Sequence, residues 1–293
     1  MFDLRARLPA QTLMQKTLEL HPAGSPRPPQ DLSWYIGAIG EIAVAGILSQ
    51  LDETWTVLHS VPVGEHSADI DHVLIGPAGV FTINTKNHTG QNVWIGGYGL
   101  LVSGKSTRYI AAAAEEAEDA AERLSMKCGM AVPVTPLIVL MDPGPVTVKA
   151  APERGVEVLA DTALLARLHD RDVFSKEQVS AIAAAAAQST TWTRRANLLT
   201  DTATLALRFN AMLARSAQGP SVRSLPQTAT SQPRPRTSHA PASRPAKAPS
   251  ASTRRPRRKS GPLDGLIGSI LGLLTFIWFV YGFLLPQLQA ASH

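Results

Sequence analysis

The segment LIGSILGLLTFIWFVYGFLL, which opens at Leu266 and closes at Leu285, constrains this chain more than any other stretch. It runs for twenty residues without a charge, with Ser269 and Thr275 as its mildly polar members. As a helix it spans about 30 Å, the hydrocarbon thickness of a bilayer. A helix buried in a globular core is seldom apolar on every side, so a single membrane span over residues 264–286 is expected. The cluster RRPRRK, beginning at Arg254 and ending at Lys259, stands on its N-terminal side, and nothing basic follows Leu285. Positive charge stays on the cytoplasmic side of a membrane. The expected arrangement is therefore a single-pass protein of the cell membrane, with the N-terminal domain in the cytoplasm and residues 287–293 as a short external tail.

Residues 216–263 are rich in Pro, Ser, Thr, Ala and Arg and nearly devoid of large apolar side chains, so burial cannot offset their chain entropy. They read as a disordered basic tether of 48 residues with a reach of roughly 40 Å. The formal net charge of +5 is concentrated there: 10 of the 28 Lys and Arg lie between Arg223 and Lys259, where no acid stands. The residues before the tether hold the other 18 basic groups against 22 acids and are mildly acidic. Attraction to nucleic acid or to anionic lipid must then come mainly from the tether or from a local patch. Beside a membrane helix, contact of Arg254 to Lys259 with anionic headgroups is the favoured reading. Gly268 and Gly272 have the small-x-x-x-small spacing that lets membrane helices approach, which leaves a homodimer open. Cys128 is the single cysteine, which excludes an intrachain disulfide and a Cys-rich zinc site.

The loop HPAGSPRPP closes an N-terminal arm over residues 1–30, and the globular domain is expected over residues 31–215. SWYIGAIGEIAVAGIL reads as a helix with Ile36, Ile39, Ala43 and Ile47 at helical spacing and Glu41 at the margin of that face. Short strands follow: WTVLH, DIDHVLIG, GVFTINTK, NVWIGG and GLLVSG. GPAG at 76–79 is a turn by composition and makes the second and third of these a hairpin. A second helix over 109–127 places Ile110, Ala113, Ala117, Ala120 and Leu124 on one face and leaves Glu115, Glu116, Glu118, Asp119 and Glu122 as a solvated face. TPLIVLM and VEVL read as further strands, and helices are expected near 161–169, near 176–188 and on to about 215. Such an order points to an α/β fold, a mixed β-sheet flanked by helices. Trp34, Trp55, Trp94 and Trp192 read as core or interface fillers.

At the open end of the hairpin Asp71 enters the first strand and Lys86 leaves the second, with Asn84 on the face of Lys86 because strand side chains repeat every two residues. With some stagger an acid, an amide and an amine converge there, and Glu41 can join from a helix packed over the sheet. The bland alternatives are an ion pair at a sheet end and a helix-margin carboxylate in water. His72 and His88 lack the second imidazole at a defined spacing that a metal site would need.

The stretches GAIGEIAVAGIL, DIDHVLIGPAGVFTINTKNHTGQNVWIGG and RYIAAAAEEAEDAAERL resemble the NERD family, the nuclease-related domain, over roughly residues 34–195. That resemblance implies a restriction-endonuclease-like fold similar to PD-(D/E)xK nucleases, whose sites combine a helix glutamate, a strand-end aspartate and an acid-x-Lys pair. By position these are Glu41, Asp71 and the triplet Asn84, Thr85, Lys86. It further implies metal-dependent hydrolysis of DNA or RNA: Asp71, Glu41, Asn84 and the Thr85 carbonyl around Mg²⁺ or Mn²⁺, with Lys86 orienting the attacking water. Asn84 departs from the pattern, because an amide supplies oxygen but no charge. Asp69, two residues before Asp71, reads first as a solvated turn acid, and it offers a replacement carboxylate if the strand end bends. The alternative is a catalytically weakened or inactive nuclease-like module that binds nucleic acid or a protein at the membrane.

Overall fold

The computed structural model describes residues 2–22, 33–65, 68–169, 172–194 and 200–217. The span expected over 264–286, its paired glycines and residues 218–263 of the basic tether lie outside these residues, whereas 216 and 217 belong to the helix Thr202–Ala217. Among the described residues no helix is long and apolar enough to cross a membrane.

Its architecture is mixed α/β, with helices on both faces of a five-stranded sheet in the order β1-β2-β3-β7-β9. The strands are β1 (Thr56–Pro62), β2 (Asp69–Gly76), β3 (Gly79–Asn87), β7 (Val134–Met141) and β9 (Glu157–Ala160). β1, β2 and β3 are antiparallel, whereas β3–β7 and β7–β9 are parallel. Between β3 and β7 the chain makes β4 (Val93–Gly96), β5 (Gly99–Val102), β6 (Lys105–Thr107) and helix α3 (Tyr109–Cys128). β4, β5 and β6 join β8 (Val146–Val148) in a second sheet, where one expected run of strands near 92–104 becomes three strands and gains β8 as a partner.

β2 and β3 read as continuous apolar runs because both of their faces are covered. Leu74, Phe81, Ile83, Leu137 and Val139 meet Val44 and Leu48 of α2 (Ser33–Leu48) and Leu164 and Leu168 of α4 (Leu164–Leu168). On the opposite face Val73, Ile75 and Val80 meet Ala120 and Leu124 of α3 and Ile182 and Ala186 of α5 (Lys176–Ala186). The alanines of α3 are small enough to let that helix lie close against the sheet, and Gly129 ends it in a left-handed cap at φ 67°.

Two expectations change here. Residues read as an arm pack into the domain: Leu4 joins the core under α5, and α1 (Gln11–Leu20) buries Met14 and Leu18. That short stretch carries its own apolar period, which the Pro-rich loop after it obscures. The second change concerns α2, which buries Tyr35, Ala38, Ile42 and Ala45, whereas Ile36, Ile39, Ala43 and Ile47 are only half-buried. A helix that is apolar nearly all round has no face that its period alone can single out. Glu41 consequently lies inside the packed side, 6% exposed.

The hairpin turn matches GPAG, with Gly76 paired to Gly79. A Cβ at Gly76 would overlap the Trp55 ring, which packs tilted on Phe81 with centroids 6.1 Å apart. Gly76→Ala is expected to lower stability by about 1–3 kcal/mol through overpacking. Thermal melting of the purified chain checks this, and an unchanged midpoint would show that the indole moves aside freely.

Candidate active site

The hairpin ladder runs from Gly76 and Gly79 to His72 and Ile83 and then opens. It opens because its two strands keep different partners: β2 stays with β1 as far as Asp69, and β3 stays with β7 as far as Asn87. In the gap Thr85 N–H donates to Asp71 Oδ2 at 2.6 Å, so the carboxylate stands where a continued ladder would supply a carbonyl.

Two helices close on this gap from opposite faces. From α2, Gly40 rides directly on the strand end, where an added Cβ would lie 3.1 Å from Asn87 Cβ and 3.4 Å from Thr85 Cγ2. Asn87 Nδ2 donates to the Ile36 carbonyl at 3.1 Å and ties the strand end to the helix. Glu41 follows Gly40 and comes down beside Asp71. Burial is the largest cause holding the Glu41 carboxyl well above its ordinary range, followed by the charges of Asp71 and Asp69 and a hydrogen bond with Asp71. Lys86 acts in the opposite direction.

From the other face α3 presents Glu116, whose Oε1 and Oε2 both accept from Asn84 Nδ2 at 3.0 Å. Burial, then the charge of Asp71, raises the Glu116 carboxyl to about 7. Asp71 itself is raised to about 6, chiefly by burial, against the pull of Lys86 and the Thr85 N–H. Asn84 is 9% exposed, and its Oδ1 is buried without a hydrogen-bond partner. Lys86 extends along the same strand face and holds its Nζ 4.8 Å from the centroid of the Tyr109 ring. The Tyr109 hydroxyl meets His88 Nε2 at 3.0 Å, and the two rings stack.

The structure thus brings Glu41, Asp71, Asn84, Thr85 and Lys86 to one end of the sheet and adds Glu116, an acid expected on the solvated face of its helix. Glu115, Glu118 and Glu122 are exposed as expected. Glu116 differs because it lies one turn from both Ala113 and Ala120 in the buried stripe. Asp69 acts on all three acids through its charge. Among the described residues no three of His, Cys, Asp and Glu stand close enough to hold a metal ion among themselves. His72 meets His59 across β1 and β2, Nδ1 to Nδ1 at 2.9 Å, and burial lowers both, His59 to about 4. Of the tryptophans expected in the core or at an interface, Trp192 is fully buried in the core, whereas Trp34 and Trp94 are exposed and do not fill it.

Residues 36–141 match the NERD family, the nuclease-related domain. The matched stretch runs from within α2 to the end of β7 and contains Glu41, Asp71, Asn84, Lys86 and Glu116. An uncharacterized protein of Bacillus anthracis is 43% identical over 65 residues, which take in 21% of this chain and 29% of that protein. No solved structure matches the chain.

Proposed function

We propose that this chain is a membrane-tethered nuclease whose core is restriction-endonuclease-like and which hydrolyses phosphodiesters of DNA or RNA with a divalent metal. The observation that carries this reading is the parting of β2 from β3. It sets Asp71, Asn84 and Lys86 at a single mouth and admits Glu41 from α2. Likeness to a nuclease-related domain over residues 36–141 supports it.

The donors suit a hard cation. They are oxygens throughout, and the partnerless Asn84 Oδ1 is a buried carbonyl oxygen of the kind such an ion binds. Magnesium takes one or two carboxylates and keeps several waters, so a triad of acids is not required. Asp71, Glu41, Asn84 Oδ1 and the Thr85 carbonyl would hold it. When bound, Mg²⁺ or Mn²⁺ polarises a phosphate oxygen and lowers the pKa of a coordinated water. Asp71 holds the opened strand through Thr85 N–H and keeps its second oxygen for the pocket. Lys86, steadied over Tyr109, orients the attacking water and stabilises charge as it develops on phosphate. Burial and the neighbouring Asp71 disfavour the charged form of Glu41, and a cation bound beside it would favour that form.

Purified chain incubated with single- and double-stranded DNA and RNA is expected to cleave at least one of them in Mg²⁺ or Mn²⁺, and EDTA is expected to stop it. Absence of cleavage across all four substrates and both metals removes the enzyme. A second reading then takes its place, favoured by the amide at position 84: a recognition module whose binding to nucleic acid weakens steeply with salt. The tether and membrane span rest on the pattern from Arg254 to Leu285, with anionic headgroups, and a second copy through Gly268 and Gly272, as their partners. Fractionation tests the span, because deleting residues 264–293 should release the chain from membranes.

A further inference from the structure

Asn84 stands where the acid of an acid-x-Lys pair is expected, yet the charge it lacks is present on its partner. Both oxygens of Glu116 accept from the Asn84 amide nitrogen at 3.0 Å. A carboxylate that needed only solvation would lie outward with Glu115, Glu118 and Glu122, which are exposed on the same helix. Instead Glu116 turns in over the opened strand end. An amide held through its nitrogen directs its oxygen away from the holder, and this oxygen is buried with no hydrogen-bond partner. Burying an unpaired carbonyl costs free energy unless a ligand completes it.

We infer that Glu116 is the positioning residue of the cation site: it fixes the Asn84 amide so that Oδ1 faces a divalent metal, and it supplies from helix α3 the negative charge that strand β3 lacks. This inference rests on the nuclease reading and deepens it. The acid is relocated by one hydrogen bond, from the strand to the helix that packs on it. A partner of a ligand acts through the ligand's orientation and basicity, and its loss costs about 10- to 100-fold in metal affinity.

The relocation makes a charge swap diagnostic. Glu116→Gln keeps side-chain size and removes the charge. Asn84→Asp combined with Glu116→Gln returns one charge to the strand and keeps one hydrogen bond between the two side chains. Binding of Mn²⁺ alone to the purified 293-residue chain is measured by titration calorimetry, and melting in EDTA establishes that each variant folds. Glu116→Gln is expected to weaken Mn²⁺ about tenfold or more, and the swap variant to recover most of that loss. The proposal is overturned if Glu116→Gln binds Mn²⁺ as the parent does, or if the folded swap variant stays as weak as the single one. Either result leaves the nuclease reading intact. A parent chain that binds no Mn²⁺ overturns the positioning role and the metal-dependent mechanism together. Should Glu116→Gln fail to fold, the swap variant decides alone, against the parent.

Discussion

Asp71→Asn is expected to make the metal-free chain more resistant to heat while abolishing cleavage. The opposed signs follow from one cause. Asp71 is a carboxyl in a site that disfavours its charge, raised from the ordinary 3.8 to about 6 chiefly by burial. Between those values the folded chain holds a proton that the unfolded chain has released, so stability falls as pH rises through this window. Above about pH 6 the penalty is complete and amounts to roughly 3 kcal/mol, since a tenfold change in an equilibrium is 1.36 kcal/mol. An asparagine keeps an oxygen for the Thr85 N–H and carries no charge, so its advantage over the parent should be largest near pH 8 and absent below about pH 4. Glu116, raised to about 7 by burial and then by the charge of Asp71, extends the parent's fall toward neutrality and the variant's less far. Removing the charge also removes metal-based stabilisation worth several kcal/mol, hence a loss of roughly 10³-fold or more in turnover. Melting curves in EDTA at pH 4 and pH 8, with single-turnover cleavage beside them, read both effects. A lower midpoint than the parent at pH 8 would falsify the view that Asp71 is kept at the expense of stability.

The same contrast between local and remote determinants explains what could be read from the residues alone. The bounds of β2 and β3, the GPAG turn and the common end shared by Asp71 and Lys86 are all set within nineteen residues, Asp69 to Asn87, where period-two alternation and turn chemistry act directly. The sequence puts Glu41 on its helix but only at the margin of a face, because α2 is apolar nearly all round and offers no polar side by which to fix its rotation. Glu116 lies 32 residues from Asn84, so chain proximity gives no hint of their contact. Its helix is marked on the buried side mostly by alanine, a residue that also occurs on exposed faces, and so an inward glutamate among Glu115, Glu118 and Glu122 looks like one more solvated acid. A residual clue was present: a pattern missing one acid invites a search for another within reach. β6 and β8, of three residues each, are too short to produce a period and exist through pairing with β5 and β4.

Lys86→Ala should lower cleavage by about 10²- to 10⁴-fold, the range associated with a positioned proton-handling group, without unfolding the domain. The side chain lies half-buried at the end of β3, outside the apolar clusters on either face of the sheet, so little packing is lost. Electrostatics point the same way as chemistry, because Lys86 is the cation that lowers Glu41, Asp71 and Glu116 together. Without it the three acids hold their protons to higher pH, which weakens cation binding as well as activation of water. Lys86→Arg separates these roles. A guanidinium keeps the charge and stacks on Tyr109, but it does not give up a proton. Recovery of metal affinity without recovery of turnover in Lys86→Arg would assign Lys86 to the attacking water, whereas recovery of both would assign it to charge alone. Cleavage by Lys86→Ala within about tenfold of the parent would remove the lysine from the reaction altogether, since general acid–base groups contribute more than that.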